Sequence, residues 1–472
     1  VGNFNSESID LGNGVTLENN SYTNYSDGMI IKYDANGNVE WAKTIGKSAS
    51  DYINSVASTS DEGAIVVGYF NSSSIDLGNE VALINKGSYD GMVIKYNANG
   101  NTEWAKAIGG SGSDYINSAA STSDGEVMLG GYFGSSSIDL ENGITLTSNG
   151  SYDGMIIKYT QQEVPEIVTK QSKVIGESND DQITSVAPTS DRGYIAGGYF
   201  YSSNIDLGNG VTLTKKGSTS SSDGMIIKYD ANGIVEWAKA MGGINSEQIN
   251  SIAETSDGGY IAGGTFSSDG MLIKYDENGI VQWTKIIGGS SKDEINSVTE
   301  TSDGGIIAGG YFQGSRIDLG DGVILTNNGA GNYDGMIIKY NANGNTEWAK
   351  AIGGISSEQI NSIAETSDGG IIVGGYFQSS RIDLENGVTL NNNSNSTSYS
   401  DGMIVKLDSN GNVKWAKVIG GNYDDQITSV AETSDGGIIA GGHFKSDSID
   451  LGNGITLYNN NLYYYEGMLI KY

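Results

Sequence analysis

The 472-residue chain carries 57 acidic against 26 basic residues, a formal charge of -31, which disfavours nucleic acid and anionic membrane surfaces as partners and leaves cations, polar glycans and proteins. It has no cysteine, so disulfides, thiolate nucleophiles and Cys-ligated metals are excluded, and its apolar runs fall far short of the roughly 20 residues of a membrane-spanning helix. Seventy glycines with only two prolines, amid abundant Asn, Ser, Thr and Tyr, describe short strands joined by tight turns, an all-β composition.

The chain opens on Val1-Gly2-Asn3-Phe4, which aligns with Val67-Gly68-Tyr69-Phe70. It therefore begins inside a repeat, without an initiating methionine, and is expected to be part of a longer protein. Next comes Asp-Gly-Met-Ile-Ile-Lys-Tyr from Asp27, and segments of this type return at Asp90, Asp153, Asp223, Asp269, Asp334 and Asp401, and at Glu466 with glutamate first. One structural unit thus repeats throughout.

In the second copy, Tyr52–Ser58 is a short alternating strand, Thr59-Ser60-Asp61-Glu62-Gly63 a hairpin turn and Ala64–Phe70 a second strand. Gly91–Tyr96 is the third strand, Asn97-Ala98-Asn99-Gly100 a tight turn, and Thr102–Ile108 the fourth, carrying Trp104. These are strands a, b, c and d of a four-stranded antiparallel meander. Between b and c most copies insert a segment like Ser-Ile-Asp-Leu-Gly-Asn-Gly-Val-Thr-Leu, at 8–17, 74–83, 137–146, 204–213, 316–325, 381–390 and 448–457. One copy runs from Phe266 through Ser267-Ser268 directly to Asp269, so the insert reads as decoration on a loop. Repeated four-stranded meanders of this length predict a β-propeller; a β-helix needs shorter repeats, and helical repeats need a 3.6-residue period that is absent.

The run from Asp27 to Gly46, then Asp51-Tyr52-Ile53-Asn54-Ser55-Val56-Ala57 and Gly68-Tyr69-Phe70, with strand, Asn-Gly turn, Trp and glycine linker recurring in order, resembles the seven-bladed β-propeller (SBBP) repeats of microbial surface and secreted proteins. The resemblance covers essentially the whole chain. It implies a propeller, commonly extracellular, with no assigned reaction and no catalytic residues to carry over. Residues 160–180 depart from the pattern, with Gln171 in place of the tryptophan and Pro165 near the c–d turn.

Strands b, c and d at the start, six full units, and a, b and c at the end predict a single propeller domain over 1–472 with eight blades, the first lacking its innermost strand. The alternative is seven blades, in which Met29–Tyr33 would lose its place to Met468–Tyr472 although a tight turn ties it to the strand carrying Trp41.

Chemistry is sparse. His443 stands where other copies carry Tyr69, Tyr132 or Tyr376, so it is expected to be a packing variant with no partners for catalysis. Trp41, Trp104, Trp237, Trp283, Trp348 and Trp415 share one repeat position and are expected to fill space between outer strands rather than stack on sugars. The c–d turns 34–38 and 408–412 begin like calcium loops but lack the glycine position and the downstream glutamate; they read as turns, as do the Thr-Ser-Asp-Gly-Gly segments at 255–259, 301–305, 366–370 and 433–437. Each strand a starts with an acid: Asp51, Asp114, Asp181, Glu247, Asp293, Glu358 and Asp425. With strand a innermost they would ring an axial channel and attract a cation such as Ca2+; the other reading is capping of backbone N–H groups at strand ends. Both stay open at this point.

Strand alternation places the a–b and c–d turns on one face and the b–c inserts with the d–a linkers on the other. The second face carries the length variation and is the expected binding face. Its loop tyrosines, Tyr22, Tyr25, Tyr89, Tyr152, Tyr333, Tyr399 and the run Tyr463-Tyr464-Tyr465, are the candidate binding residues, and the sequons at Asn19, Asn24, Asn71, Asn149, Asn392 and Asn395 lie in the same connections. The expectation is a non-catalytic extracellular or cell-surface propeller, structural or adhesive, meeting a protein partner or its own kind through unpaired terminal strands. A multivalent glycan-binding propeller is the alternative. A propeller lyase, lactonase or glycosidase would need unlike polar groups that near-identical blades do not supply.

Overall fold

The structure is a computed structural model that describes every residue except 6, 12–14, 22–24, 35–38, 123, 124, 142, 164, 165, 290, 330, 395–397, 434, 435, 453, 454 and 460–464, and the side chains of 10, 161–163, 166–168, 452 and 455. It divides into two compact units, Val1–Glu254 and Thr255–Tyr472. Unit 1 opens with a three-stranded sheet of Gly2–Phe4, Asp27–Tyr33 and Val39–Ile45. Three four-stranded sheets follow, beginning at Asp51–Ser58, Asp114–Ser121 and Asp181–Pro188, and strand Glu247–Glu254 ends the unit. Unit 2 opens with Tyr260–Phe266, Asp269–Tyr275 and Val281–Ile287, continues with two four-stranded sheets starting at Asp293–Glu300 and Glu358–Glu365, and ends with Asp425–Glu432, Ile438–Phe444 and Glu466–Lys471. The chain is an all-β propeller of eight antiparallel blades in the spatial order a-b-c-d, as the repeat predicts; among the described residues the first blade shows strands b, c and d and the last strands a, b and c.

Strands b and c are buried on both faces because neighbouring blades cover them. Ile65, Val66 and Val67 of one b strand and Met92, Val93 and Ile94 of the adjoining c strand are all fully buried. Within unit 1, strand Asp114–Ser121 touches both Asp51–Ser58 and Asp181–Pro188; within unit 2, Glu358–Glu365 touches Asp293–Glu300 and Asp425–Glu432. Strand a is therefore the inner strand. Where the repeat departs at 160–180, c and d simply lengthen to Asp153–Glu163 and Glu166–Ile175 with two register shifts between them; Pro165 lies outside the described residues.

The inserts are more than decoration. Each is a small hairpin, such as Arg381–Asp383 with Thr389–Asn391, and in five of them both the Ile and the Leu are buried: Ile75 and Leu83, Ile138 and Leu146, Ile205 and Leu213, Ile317 and Leu325, Ile382 and Leu390. They close over the start of strand d. Val413, beneath the hairpin of its blade, is 3% exposed, whereas Val281, in the blade without an insert, is 49% exposed. The alternation of Ile and Leu with polar residues buries one side of each hairpin, which corrects the expectation of a loop ornament.

Candidate binding surface

The acids that open strand a do not line an open channel. All seven, Asp51, Asp114, Asp181, Glu247, Asp293, Glu358 and Asp425, are fully buried. Asp51 shows why: its Oδ1 accepts the N–H groups of Asn71 and Ser72, and its Oδ2 accepts the Ser72 hydroxyl at 2.6 Å and the Lys47 N–H. Asp114 with Ser135, Asp181 with Ser202 and Asp425 with Ser446 repeat the arrangement. The serine comes from the start of the b–c connection, so the carboxylate ties strand a to the mouth of the insert. Among the described residues no group of three or more His, Asp or Glu side chains is placed to hold a metal ion.

A second acid joins each of these. The Asp that opens strand c, a mere repeat marker in the sequence, packs against the strand-a acid that follows it. A methyl group on Gly176 would lie 2.2 Å from Asp153 Oδ1 and 2.8 Å from Asp181 Oδ2, so only glycine leaves room for the two carboxyls to meet. Oδ1 of Asp90, Asp153, Asp334 and Asp401 is buried without a hydrogen-bond partner, whereas that of Asp27 takes the Ser21 hydroxyl and that of Asp223 the Lys215 ammonium. Burial, with the facing carboxylate adding to it, pushes Asp90 up to about 6 and Asp401 up to about 7. Burial likewise lifts Asp51, Asp181 and Asp425 to about 6 and Glu358 to about 7 against the lowering pull of their serines. Below this layer, on the opposite face, the carboxylate of Asp257 is taken by Thr255, Lys274 and the Gly259 N–H, and in the turn 408–412 Asp408 Oδ1 accepts the N–H groups of Asn410 and Asn412; residues 35–38, 434 and 435 of the other named turns lie outside the described residues.

Above the carboxyl pairs, at the insert-bearing end, unit 1 carries a connected set of tyrosines. Tyr52 lies 5.0 Å from Tyr69, Tyr69 4.8 Å from Tyr115 and 5.5 Å from Tyr89, Tyr115 4.8 Å from Tyr132, and Tyr132 5.6 Å from Tyr152, ring centre to ring centre. Three positions build it: the second residue of strand a, the sixth of strand b and the residue before strand c. All six are half-buried. Burial, with the neighbouring phenols adding to it, holds the Tyr69 hydroxyl up at about 12 and also raises those of Tyr89, Tyr132 and Tyr152. Asp180, exposed at its rim, adds negative charge beside Tyr152.

Of the candidate tyrosines, Tyr89 and Tyr152 belong to this array. In unit 2, Tyr333 pairs with Tyr311 at 4.9 Å and Tyr399 with Tyr423 at 5.2 Å. Tyr25 stands exposed, and Tyr22, Tyr463 and Tyr464 lie outside the described residues. The strand tyrosines Tyr52, Tyr69, Tyr115 and Tyr132 were not candidates, although their recurrence beside the strand-a acid and before the terminal Phe of strand b was a usable signal. His443 packs edge-on against Tyr465 at 4.8 Å, and burial lowers its pKa. The Asn19 and Asn392 amides are engaged with backbone carbonyls of their own loops; Asn149 is exposed.

No family model matches the chain. It is similar to an uncharacterized WD repeat-containing protein of Acanthamoeba polyphaga mimivirus, 22% identical over 498 residues that cover 93% of this chain and 33% of the relative. A shorter similarity, 32% identical over 117 residues, covers 25% of this chain and 12% of the regulatory protein FlaEY of Caulobacter vibrioides. The chain thus spans about a third of the first curated relative and matches a smaller part of the second. Among solved structures, Sqt1 from Chaetomium thermophilum superposes over 85% of this chain and 83% of that one, with 13% identity and a TM-score of 0.45. Among the described residues no helix is long and apolar enough to cross a membrane.

Proposed function

We propose that this chain is a non-catalytic propeller that binds a protein partner through its insert-bearing face. The observation that carries the reading is the tyrosine array of Tyr52, Tyr69, Tyr89, Tyr115, Tyr132 and Tyr152. Rigid half-buried aromatics supply contact area at little cost in side-chain entropy, as binding loops elsewhere use them. Its rings meet one another, Tyr115 and Tyr132 stacked and Tyr69 with Tyr89, Tyr69 with Tyr115 and Tyr132 with Tyr152 edge to face, so part of each ring is engaged by a neighbour; a sugar-stacking lectin needs free faces, which favours a protein surface over a glycan. The acidic rim and the charge of -31 select a basic or neutral partner. In this reading the buried carboxyls serve the fold and calcium is not required. The likeness to SBBP repeats and the WD-repeat relative support an interaction role, and the former supports a place outside the cell or on its surface.

Replacing Tyr89 and Tyr115 by Ser, both half-buried and removable without opening the blade core, tests this. Affinity capture of surface proteins from the producing organism, followed by titration of the captured protein, should show binding weakened roughly a hundredfold in the double variant. Equal binding by the variant, selective binding on a glycan array, or a hydrolytic or lyase activity that is lost in His443→Tyr would overturn the proposal.

A further inference from the structure

At the insert-bearing end the chain seats several of its own cations on tyrosine rings. Lys292, the residue before strand Asp293–Glu300, holds its ammonium 5.5 Å from the ring centre of Tyr311. Glu294 pairs with that ammonium at 3.4 Å and accepts the Tyr311 hydroxyl at 2.6 Å. The Lys445 ammonium lies 5.6 Å from the ring of Tyr465, and that of Lys215 5.6 Å from Tyr201. An aromatic face attracts a cation through its quadrupole, and a carboxylate beside it adds to the attraction.

The tyrosine array of unit 1 has the rings without the cations. Tyr69 and Tyr132 hold the repeat position of Tyr311, but the position of Lys292 is Ser50 in one blade and Ser113 in the next. That of Lys445 is Asn71 and Gly134, and that of Lys215 is Asn85 and Ser148. No lysine or arginine of the described residues lies over any of the six rings. Charge is also graded along the array. One linker position runs Lys47, Gly110, Glu177 through successive blades, and another runs Ser50, Ser113, Asp180. Glu177 and Asp180 are exposed, and the Asp180 carboxylate is in no ion pair among the described residues. It borders Tyr152 and the half-buried Tyr199, whose hydroxyls are raised first by burial, then by a neighbouring phenol, then by the Asp180 charge. The array is therefore most negative where Tyr132, Tyr152 and Tyr199 approach that acid.

We infer that Tyr132, Tyr152 and Tyr199 with Asp180 form a seat for a cationic side chain, arginine or lysine, presented by a basic segment of a protein partner. The inference rests on the insert-face reading and names the chemistry that this face recognises. The incoming cation takes the place of the lysine that Tyr311 receives from its own chain, and Asp180 takes the part of Glu294. A guanidinium is planar and weakly hydrated, stacks on a ring and forks onto a carboxylate, so arginine binds more tightly than lysine. The charge of -31 draws a basic segment toward the chain, and the rings beside Asp180 fix where its side chain settles.

A fluorescently labelled peptide of alternating glycine and arginine, titrated against the whole chain by fluorescence anisotropy at about 150 mM salt, where long-range attraction is screened, tests this. Saturable binding is expected, weakened roughly tenfold or more when neutral citrulline replaces arginine. Tyr152→Leu, which removes a ring, and Asp180→Asn should each weaken it severalfold, whereas Tyr152→Phe, which keeps the ring face, should not. Ser113→Lys gives Tyr132 the lysine that Tyr311 has and should weaken binding to a similar degree by filling the seat from within. Glu62→Gln makes the same change of charge in an exposed turn on the opposite face and should leave binding unchanged. No saturation up to about 1 mM, equal binding of the citrulline peptide, indifference to Asp180→Asn and Ser113→Lys, or an equal loss in Glu62→Gln would overturn the inference. So would displacement of the peptide by spermidine at equal affinity, which would make the ligand a free polyamine. The peptide titration needs no captured partner, so the two readings fail separately. Partner binding that is lost in the Tyr89 and Tyr115 variant yet indifferent to Asp180→Asn and Ser113→Lys would overturn this inference alone; partner binding equal in every variant, with the peptide behaving as expected, would overturn the insert-face reading alone.

Discussion

Asn361 donates its side-chain amide to the backbone carbonyl of Ile427, 2.8 Å away and one blade on. Asn54 to Ile116, Asn117 to Ile183 and Asn296 to Ile360 do the same at 2.7 to 3.0 Å. The donor is the residue skipped by a β-bulge in strand a, between Ile360 and Ser362 in this blade, and the bulge turns its side chain out of the ladder toward the neighbouring inner strand. Next in sequence, Ser362 accepts the Val430 N–H at 3.1 Å. The Ile-Asn-Ser motif is thus a stitch between inner strands.

Asn361→Ala leaves the Ile427 carbonyl without its donor and is expected to cost about 1 to 2 kcal/mol, read as a lower urea midpoint. Asn361→Thr should recover part of this, because Thr184 holds the same place and reaches Ile249 O at 2.7 Å. An alanine variant as stable as the parent would show that the stitch is incidental.

The insert hairpins make a paired test. Val413→Ala opens a cavity beneath its hairpin and should cost about 2 kcal/mol. Val281→Ala, at the same repeat position without a hairpin above it, should cost less than about 0.5 kcal/mol. Equal costs in chemical denaturation would show that the hairpins do not cover the blade.

Lys339 is buried, with its ammonium on Asp303 at 2.7 Å and on the Thr301 hydroxyl; Lys95, Lys228, Lys274 and Lys406 repeat the contact with Asp61, Asp191, Asp257 and Asp368. Asp303→Asn strands a buried cation and should destabilise by about 2 kcal/mol, whereas Lys339→Met leaves only a largely exposed carboxylate and should be close to neutral. The order of the two variants in thermal unfolding is the test; the reverse order would place the cost on the acid.

Stability should depend on pH in two opposite ways. The seam carboxyls have folded pKa values raised to about 6 or 7, so what they contribute is fully present below about pH 4, where the unfolded chain also binds the proton, and is lost as pH rises through 6 to 7. The turn carboxylates are lowered instead, Asp61 and Asp303 to about 2 by their lysine and threonine hydrogen bonds acting against burial, so their contribution is present above about pH 4 and lost as pH falls through 2. Urea midpoints should therefore peak near about pH 4, fall as pH rises through 6 to 7, and level off above that, where both states are ionised. Asp401→Asn, which keeps shape and hydrogen-bonding capacity on a carboxyl whose Oδ1 has no partner among the described residues, should flatten the fall between about pH 4 and 7. A midpoint that rises from pH 5 to 8 would refute the pairing.

Strands, their order and the count of eight blades were legible in the chain because turn chemistry and side-chain alternation are local and were repeated eight times over. The bare 46-residue copy around Asp269 was misleading: a chain that tolerates the absence of an insert gives no sign that Val413 depends on one, since the dependence lies in what is covered across space. The same holds for the acids. Asp153 and Asp181 are 28 positions apart in a linear reading, and burial places their carboxyls against one glycine; the strand-a acids could be assigned to a channel or to a cap only once their solvent exposure was known. Tyr69, Tyr115 and Tyr132 looked like ordinary alternating strand residues, and their union into one surface follows from the stacking of successive blades. Local patterns encode which elements form, because backbone conformation is decided within a few residues; partners across a seam are set by packing, which depends on every neighbouring blade at once.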